Sequence, residues 1–360
     1  PRQGGNAVSD DRENLRLMLA DMKRAPVEFR PTNFWERGLQ PILEDVEAHG
    51  FETFRAHRSA RGFYVPGYAR PEYQAHRDRI ERILGLLPDR RAHSVRWRLD
   101  GRQLAWSDSR LVAATDVPGG LDVASVSQSS VGGGELHQVR GRTVTRSLLN
   151  YLRGITLLKS VVDTSDLTSA LEIGGGYGTL GEIFLKARPD DGFFVNVDIP
   201  PVAAVSTYYL SEVFGREAVL GYAESRELDV LDLNALRDRY RAIVLCPWQL
   251  PAVTGRLDLF ANFMSFQEME PAVVARYCEL VEPLTARYVL LRNSATASSG
   301  WRPGNSAFSS RSGPTSSSSS SARSKNVPAT RSSTVTRALI VRFDPRWWSS
   351  SAADTTEACT

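Results

Sequence analysis

Between an apolar run and a helical pattern the chain reads Leu171-Glu172-Ile173-Gly174-Gly175-Gly176-Tyr177-Gly178-Thr179-Leu180-Gly181. Glycines in such a turn let the backbone take positive φ and let a ligand approach with no Cβ in the way. The helix that follows presents free N–H groups at its start. Asp198 lies 26 residues after Glu172, at the end of the next apolar run (FFVNVDIP), where it can accept hydrogen bonds from ribose hydroxyls, with Ile199 beside it. Strand, glycine turn, helix and second-strand acid together make a nucleoside site. Spacing alone leaves the nucleoside open, because Gly176-x-Gly178-x-x-Gly181 also satisfies the dinucleotide fingerprint of an NAD(P)-dependent oxidoreductase. Tyr177, inside the turn, can pack on the cofactor or anchor the core.

Positioning these residues falls to an alternation of strand and helix patterns. Strands are expected at 169–173, 193–197, 242–245, 257–262 and 288–291, and helices at 179–186, 202–214 and 271–280. That is the rhythm of a parallel α/β sheet. Such sheets bind ligands at the carboxyl ends of their strands, which places Asn262 at the cofactor and Ser265 and Gln267 at the substrate. Glu268 is a candidate general base; the competing reading is an acid that complements the dipole of the next helix. His137 is the second candidate base, by residue type; the competing reading is a surface or satisfied loop histidine. Asn150 and Tyr151, polar exceptions in the apolar helical stretch 145–162, are candidate substrate contacts. Trp248 can flank an adenine or anchor its loop, and Asp258 can ligate a metal or form a salt bridge at the sheet edge.

Upstream, helical spacing recurs through Leu15, Leu17, Met18, Leu19 and Met22, over 33–49 and over 71–87, whereas 92–126 reads as irregular or short β. Residues 1–126 are therefore expected to form a mostly helical N-terminal cap and substrate region, and 127–293 the catalytic domain. After Asn293 the text changes: 19 of the last 67 residues are Ser, with one strand-like piece at 336–343. That composition reads as largely disordered. In a chain so biased to Arg over Lys it also reads as out-of-frame translation of GC-rich DNA.

Of the 360 residues 42% are hydrophobic, which excludes wholesale disorder, and residues 1–293 carry 36 basic against 38 acidic side chains. The body is thus no basic nucleic-acid binder. Cys246, Cys278 and Cys359 give neither a disulfide framework nor a zinc spacing. No apolar run approaches membrane-spanning length and the N-terminus has no apolar signal core, so a cytoplasmic protein is expected.

The frame Glu172-x-Gly174-x-Gly176-x-Gly178 resembles motif I of the class I S-adenosyl-L-methionine-dependent methyltransferases. The combination LEIGGGYGTLGEIFL, VDIPPVAAVSTYYLSEVFG, DLFANFMSFQEM and RYVLLRNS is similar to the sugar O-methyltransferase family of bacterial antibiotic and polysaccharide gene clusters. Ser130-Val131-Gly132-Gly133-Gly134 and the SLLNYL helix belong to the same resemblance, which covers about residues 125–293. It implies a Rossmann-like α/β sheet and methyl transfer to a sugar hydroxyl of a glycosylated natural product. Gly174, Gly176 and Gly178 would lie beside the methionine moiety, with Glu172 organising that cofactor loop and Asp198 on the ribose. The expected partner is a small-molecule glycoside, with no nucleic acid and no membrane; a homodimer is the base-rate expectation. Some sugar methyltransferases use a divalent ion such as Mg to acidify the hydroxyl, and no ligand cluster marks one in this sequence. The family's sheet closes with a hairpin of two further strands, of which this chain offers one candidate. A non-catalytic relative that binds the cofactor without turnover is the remaining alternative.

Overall fold

Ser169–Ile173 and Phe193–Val197 are buried at all five positions, and Ala242–Leu245 at all four. A strand with no polar face belongs inside a sheet covered on both sides, which favours parallel pairing through helical crossovers. The computed structural model describes residues 11–69, 71–294 and 336–342. Its main sheet has strands β1 (Ser169–Ile173), β2 (Phe193–Val197), β3 (Val219–Leu220), β4 (Ala242–Leu245), β5 (Leu257–Phe263), β6 (Thr285–Ser294) and β7 (Thr336–Arg342), in the order β7-β6-β5-β1-β2-β4-β3. All pairs are parallel except β6 with β7. From β1 the chain builds outward through β2 to β4, then crosses back to lay β5 and β6 on the other side. The carboxyl ends of β1 and β5 therefore border the topological switch point, where sheets of this kind open a crevice.

One face of the sheet is filled by Leu171, Ile173, Val195, Val197, Ile243, Leu245 and Phe260, joined by Phe266 and Tyr277. Each such side chain contributes about 1.5–3 kcal/mol on burial. The crossover helix Val202–Phe214 is buried at ten successive positions from Val202 to Ser211, and Tyr208 and Tyr209 are packing residues within it.

The chain divides into two compact units. One holds the residues up to Leu39, Leu167–Gly181 and the chain from Asp190 on; the other is Gln40–Asp166 with Glu182–Pro189. This division does not follow the sequence-expected boundary at 126. The helix Asp11–Met22 belongs with the sheet, where Asn14 Oδ1 accepts from the Ala223 N–H at 2.8 Å and Asp11 pairs with Arg216 at 2.9 Å. The second unit contains the hairpin His137–Val139/Arg142–Val144 and the helices Arg102–Thr115 and Arg146–Lys159, joined by Lys159 on Asp116 at 2.6 Å.

Three expectations need correction or trimming. Residues 92–126 are not irregular or β: helices cover Asp89–Leu99 and Arg102–Thr115. The second buries Ala105, Ser109 and Val112, spaced four and three apart, and residues so small carry little apolar signal. The helix expected over 71–87 is interrupted at His76 into Pro71–Ala75 and Arg77–Leu84. The expected strand at 288–291 extends to Thr285–Ser294. The readings of the tail as disordered and out of frame fall outside the described residues, except for Thr336–Arg342, which pairs residue by residue with β6 from Tyr288 to Ser294. No helix among the described residues is long and apolar enough to cross a membrane.

Candidate functional site

The glycine turn leaves β1 at the switch point. Gly174 has φ +67°, a value costly for any residue with a Cβ, and its N–H donates to the Val197 carbonyl at 2.7 Å, tying the turn to the end of β2. Gly175 is needed for a different reason: a Cβ there would collide with Asn196 Oδ1 and Glu172 Oε2, both on fully buried side chains. Glu172 and Asn196 are register partners on β1 and β2, so the strand pairing itself brings carboxyl and carboxamide together under the turn. Asn196 Nδ2 donates to Ser206 Oγ at 2.7 Å and to the Gly176 carbonyl at 3.3 Å. Tyr177 is 2% exposed and meets Tyr209 edge to face with centroids 5.0 Å apart.

Asp198 ends β2 and folds back on the same turn. Its Oδ2 accepts from the Gly176 N–H and its Oδ1 from the Ile199 N–H, both at 2.8 Å. Burial pushes its pKa up to about 7 against those two bonds, and the charge of Glu268 adds to the rise. Each carboxyl oxygen keeps a lone pair for a further donor such as a hydroxyl.

The turn after β5 is built from side chains. Met264 takes φ +70°, unusual without a glycine, and the 3₁₀ turn Ser265–Glu268 follows. Asn262 Nδ2 donates to the Ile173 carbonyl at 2.9 Å and to Ser265 Oγ at 2.6 Å, Ser265 Oγ donates to the same carbonyl at 2.9 Å, and Asn262 Oδ1 accepts from the Phe266 N–H at 3.2 Å. Asn262 and Ser265 thus bind the end of β1 to this turn. Gln267, half-buried, and Glu268 complete it. Glu268 Oε2 accepts from Trp35 Nε1 at 3.1 Å, and burial pushes the carboxyl up to about 7, against that bond.

No protein-family model and no curated protein matches the chain. Solved structures do match. The structure of mitomycin 7-O-methyltransferase aligns at 14% identity over 85% of this chain and 61% of its own, with a TM-score of 0.27. Magnesium protoporphyrin IX methyltransferase from Synechocystis PCC 6803, with bound S-adenosylmethionine, aligns at 12% identity over 56% and 86%, at 0.32. A carbon methyltransferase, CurJ, aligns at 16% identity over 63% and 50%, at 0.26. The chain spans less than two thirds of the mitomycin enzyme's length. Overlap of this degree transfers no residue role and no substrate.

The expected site residues Glu172, Gly174, Gly176, Tyr177, Gly178, Asp198, Ile199, Asn262, Ser265, Gln267 and Glu268 all belong to the sheet-bearing unit and to the ends of β1, β2 and β5. His137, Asn150 and Tyr151 belong to the other unit. There His137 is 5% exposed, with Nε2 2.6 Å from Glu135 Oε1 and its ring edge to face with Tyr68. Glu135 also accepts from the Tyr68 and Ala69 N–H groups at 2.8 and 3.1 Å; burial raises its pKa, but these bonds and His137 outweigh it and hold the carboxyl below its ordinary value. The element at residues 130–134 is a turn in the same unit, in which the buried Arg55 donates to the Ser129 and Val131 carbonyls. Asp258 accepts from the Thr168 and Ser169 N–H groups at 2.9 and 3.1 Å, at the amino end of β1 and away from the switch point. Trp248 Nε1 donates to Tyr222 Oη at 2.9 Å. Among the described residues no group of three or more His, Cys, Asp or Glu side chains gathers as a cation site.

Sequence reasoning missed Asn196 and Trp35. Asn196 carried a signal, as the one polar residue in FFVNV. Trp35 reads only as part of the apolar face of the helix over 33–49, and nothing local links it to Glu268, 233 residues away.

Proposed function

We propose that this chain is an S-adenosylmethionine-dependent O-methyltransferase, acting on a sugar hydroxyl of a glycosylated natural product. The observation that carries the reading is electrostatic: Glu172, Asp198 and Glu268 bring three carboxyl groups to the glycine turn and its neighbour at one switch point. A dinucleotide would set a doubly charged pyrophosphate against them, whereas a sulfonium-bearing nucleoside brings positive charge. The donor set therefore fits the methyl donor. The sequence resemblance supports the same class and is the support for a sugar acceptor.

Bound there, S-adenosylmethionine supplies an activated methyl group whose departure leaves a neutral thioether. The rest is the work of the protein. The turn after β1 holds Asp198 through the Gly176 N–H, and the spare lone pairs of Asp198 accept from ribose hydroxyls. In-line displacement asks for alignment first, which two turns tied to each other and to the strand ends provide. It also asks for removal of a proton from a weakly acidic hydroxyl. With its pKa near 7, Glu268 is partly ionised at neutral pH and still basic enough to accept that proton.

Calorimetric titration of the purified chain with S-adenosylhomocysteine and, separately, NADH tests the reading. Saturable binding of the first and none of the second is the expected outcome; NADH binding alone would make the chain an oxidoreductase. Transfer of labelled methyl from S-adenosylmethionine to deoxysugar glycosides then tests the acceptor.

A further inference from the structure

The turn that carries Glu268 is held by a short stretch of chain from near the N-terminus. Thr32 Oγ1 donates to the Glu268 carbonyl at 3.2 Å. Asn33 donates to Glu270 Oε1 twice, from its side chain at 2.7 Å and from its backbone N–H at 3.3 Å. Trp35 Nε1 donates to Glu268 Oε2 at 3.1 Å. Just ahead, Phe29 is 3% exposed and in ring contact with Tyr277 at 6.3 Å, and Tyr277 stacks on Phe266 of the turn at 6.4 Å. Phe29 already anchors the stretch by packing, so the four hydrogen bonds add direction rather than attachment. Of the four, the Trp35 bond is the one that ends on the Glu268 carboxyl itself.

We propose that Trp35 is a positioning residue for Glu268: its indole N–H fixes Oε2, so that Oε1, to which no hydrogen bond runs among the described residues, is presented to the acceptor hydroxyl. This deepens the reading of Glu268 as general base and rests on it. An indole N–H donates only, so it holds a carboxylate more tightly than a carboxylic acid and favours the ionised form. The other charges bearing on the site work differently. Asp198, from the end of β2, repels a second negative charge, and Glu270 is drawn to Asn33. Trp35 is thus the group that opposes burial and keeps Glu268 available as a base near neutrality.

The link can be read without knowing the acceptor. The full chain has seven tryptophans, and labelling their indole nitrogens with ¹⁵N gives a resonance for Trp35 identified by its loss in Trp35→Phe. Between about pH 5 and 9 that resonance should shift with a midpoint near 7, and it should stop shifting in Glu268→Gln. With ¹³C-carboxyl glutamate, the signal lost in Glu268→Gln should titrate about half a pH unit or more higher in Trp35→Phe. An indole resonance flat across this range, or an unmoved carboxyl midpoint in Trp35→Phe, overturns the proposal. If Trp35→Phe does not fold, the indole resonance is the one that Glu268→Gln perturbs most, and its titration in the unmutated chain decides. Failure of S-adenosylhomocysteine to bind would instead overturn the methyltransferase reading, and would leave the indole titration as it stands.

Discussion

Two turns border the switch point, and they are built in opposite ways. After β1 the chain turns on glycines and is tied through backbone: the Gly174 N–H on the Val197 carbonyl and the Gly176 N–H on Asp198, with the Ser265 side chain filling the space beside Gly174. After β5 it turns on Met264 at positive φ and offers side chains: Asn262 and Ser265 knit inward to the Ile173 carbonyl, and Glu268 stands partly buried. The first turn is tied by backbone groups, the second by side chains. Positive φ appears in both, without cost at glycine and as local strain at Met264, and strain of that kind gathers at functional sites.

The contrast breaks hardest at Glu268. Glu268→Gln keeps shape and removes the base, so methyl transfer to any accepted glycoside should fall by about 10²–10⁴-fold while S-adenosylhomocysteine affinity changes little. Equal losses of affinity and rate would make the second turn a binding element like the first. The next effect is on stability. Glu268 rises from its ordinary 4.5 to about 7 on folding, so between those values the folded chain holds a proton that the unfolded chain has released. The contribution is fully present below pH 4.5 and is lost as pH rises through about 7, a change of about 3 kcal/mol. Urea denaturation at pH 5 and pH 8 should therefore show Glu268→Gln gaining about that much on the unmutated chain at the higher pH. Equal differences at the two values would mean that the carboxyl is not raised by burial.

The same contrast explains what could be read in advance. β1, β2 and β4 and the helices Asn33–His49 and Val202–Phe214 were legible to the residue, because continuous apolar runs and caps leave few registers open. The glycine turn was legible because alternating glycines between an apolar run and a helical pattern mark a backbone at positive φ. The helices over 89–115 were not, because their buried face is Ala92, Ala105, Ser109 and Val112. Asn262 and Ser265 were placed correctly at the strand end, but their bonds to Ile173 depend on how β5 meets β1, which no local pattern encodes. Glu135 and Asp198 make the point for electrostatics. Both take backbone N–H bonds, yet the half-buried Glu135 is lowered, because those bonds and His137 outweigh its desolvation, whereas the more deeply buried Asp198 is raised by desolvation, with the charge of Glu268 adding to it.

A smaller effect sharpens the first turn. Gly175→Ala places a methyl against Asn196 Oδ1 and Glu172 Oε2, and neither fully buried side chain has room to retreat. Overpacking of this kind costs about 1–3 kcal/mol. Chemical denaturation should show a loss of about 2 kcal/mol; a neutral substitution would mean that the strand ends under the turn are loose.

The smallest expected effect is the one that joins the two turns. A Cβ on Gly174 would strike the Ser265 side chain, so Gly174→Ala carries two penalties in the unmutated chain, positive φ and collision. In a Ser265→Gly background the collision disappears and the φ penalty remains. Ser265→Gly alone loses the bonds to Ile173 and Asn262 at about 1 kcal/mol each, although Asn262 Nδ2 still serves the Ile173 carbonyl. The double variant should then be more stable than the sum of the two singles by about 1 kcal/mol, the range found for residues in contact. Simple additivity would mean that the turns lie near each other without sharing a contact. Measurable coupling would mean that the glycine turn and the turn which carries Glu268 are one mechanical piece.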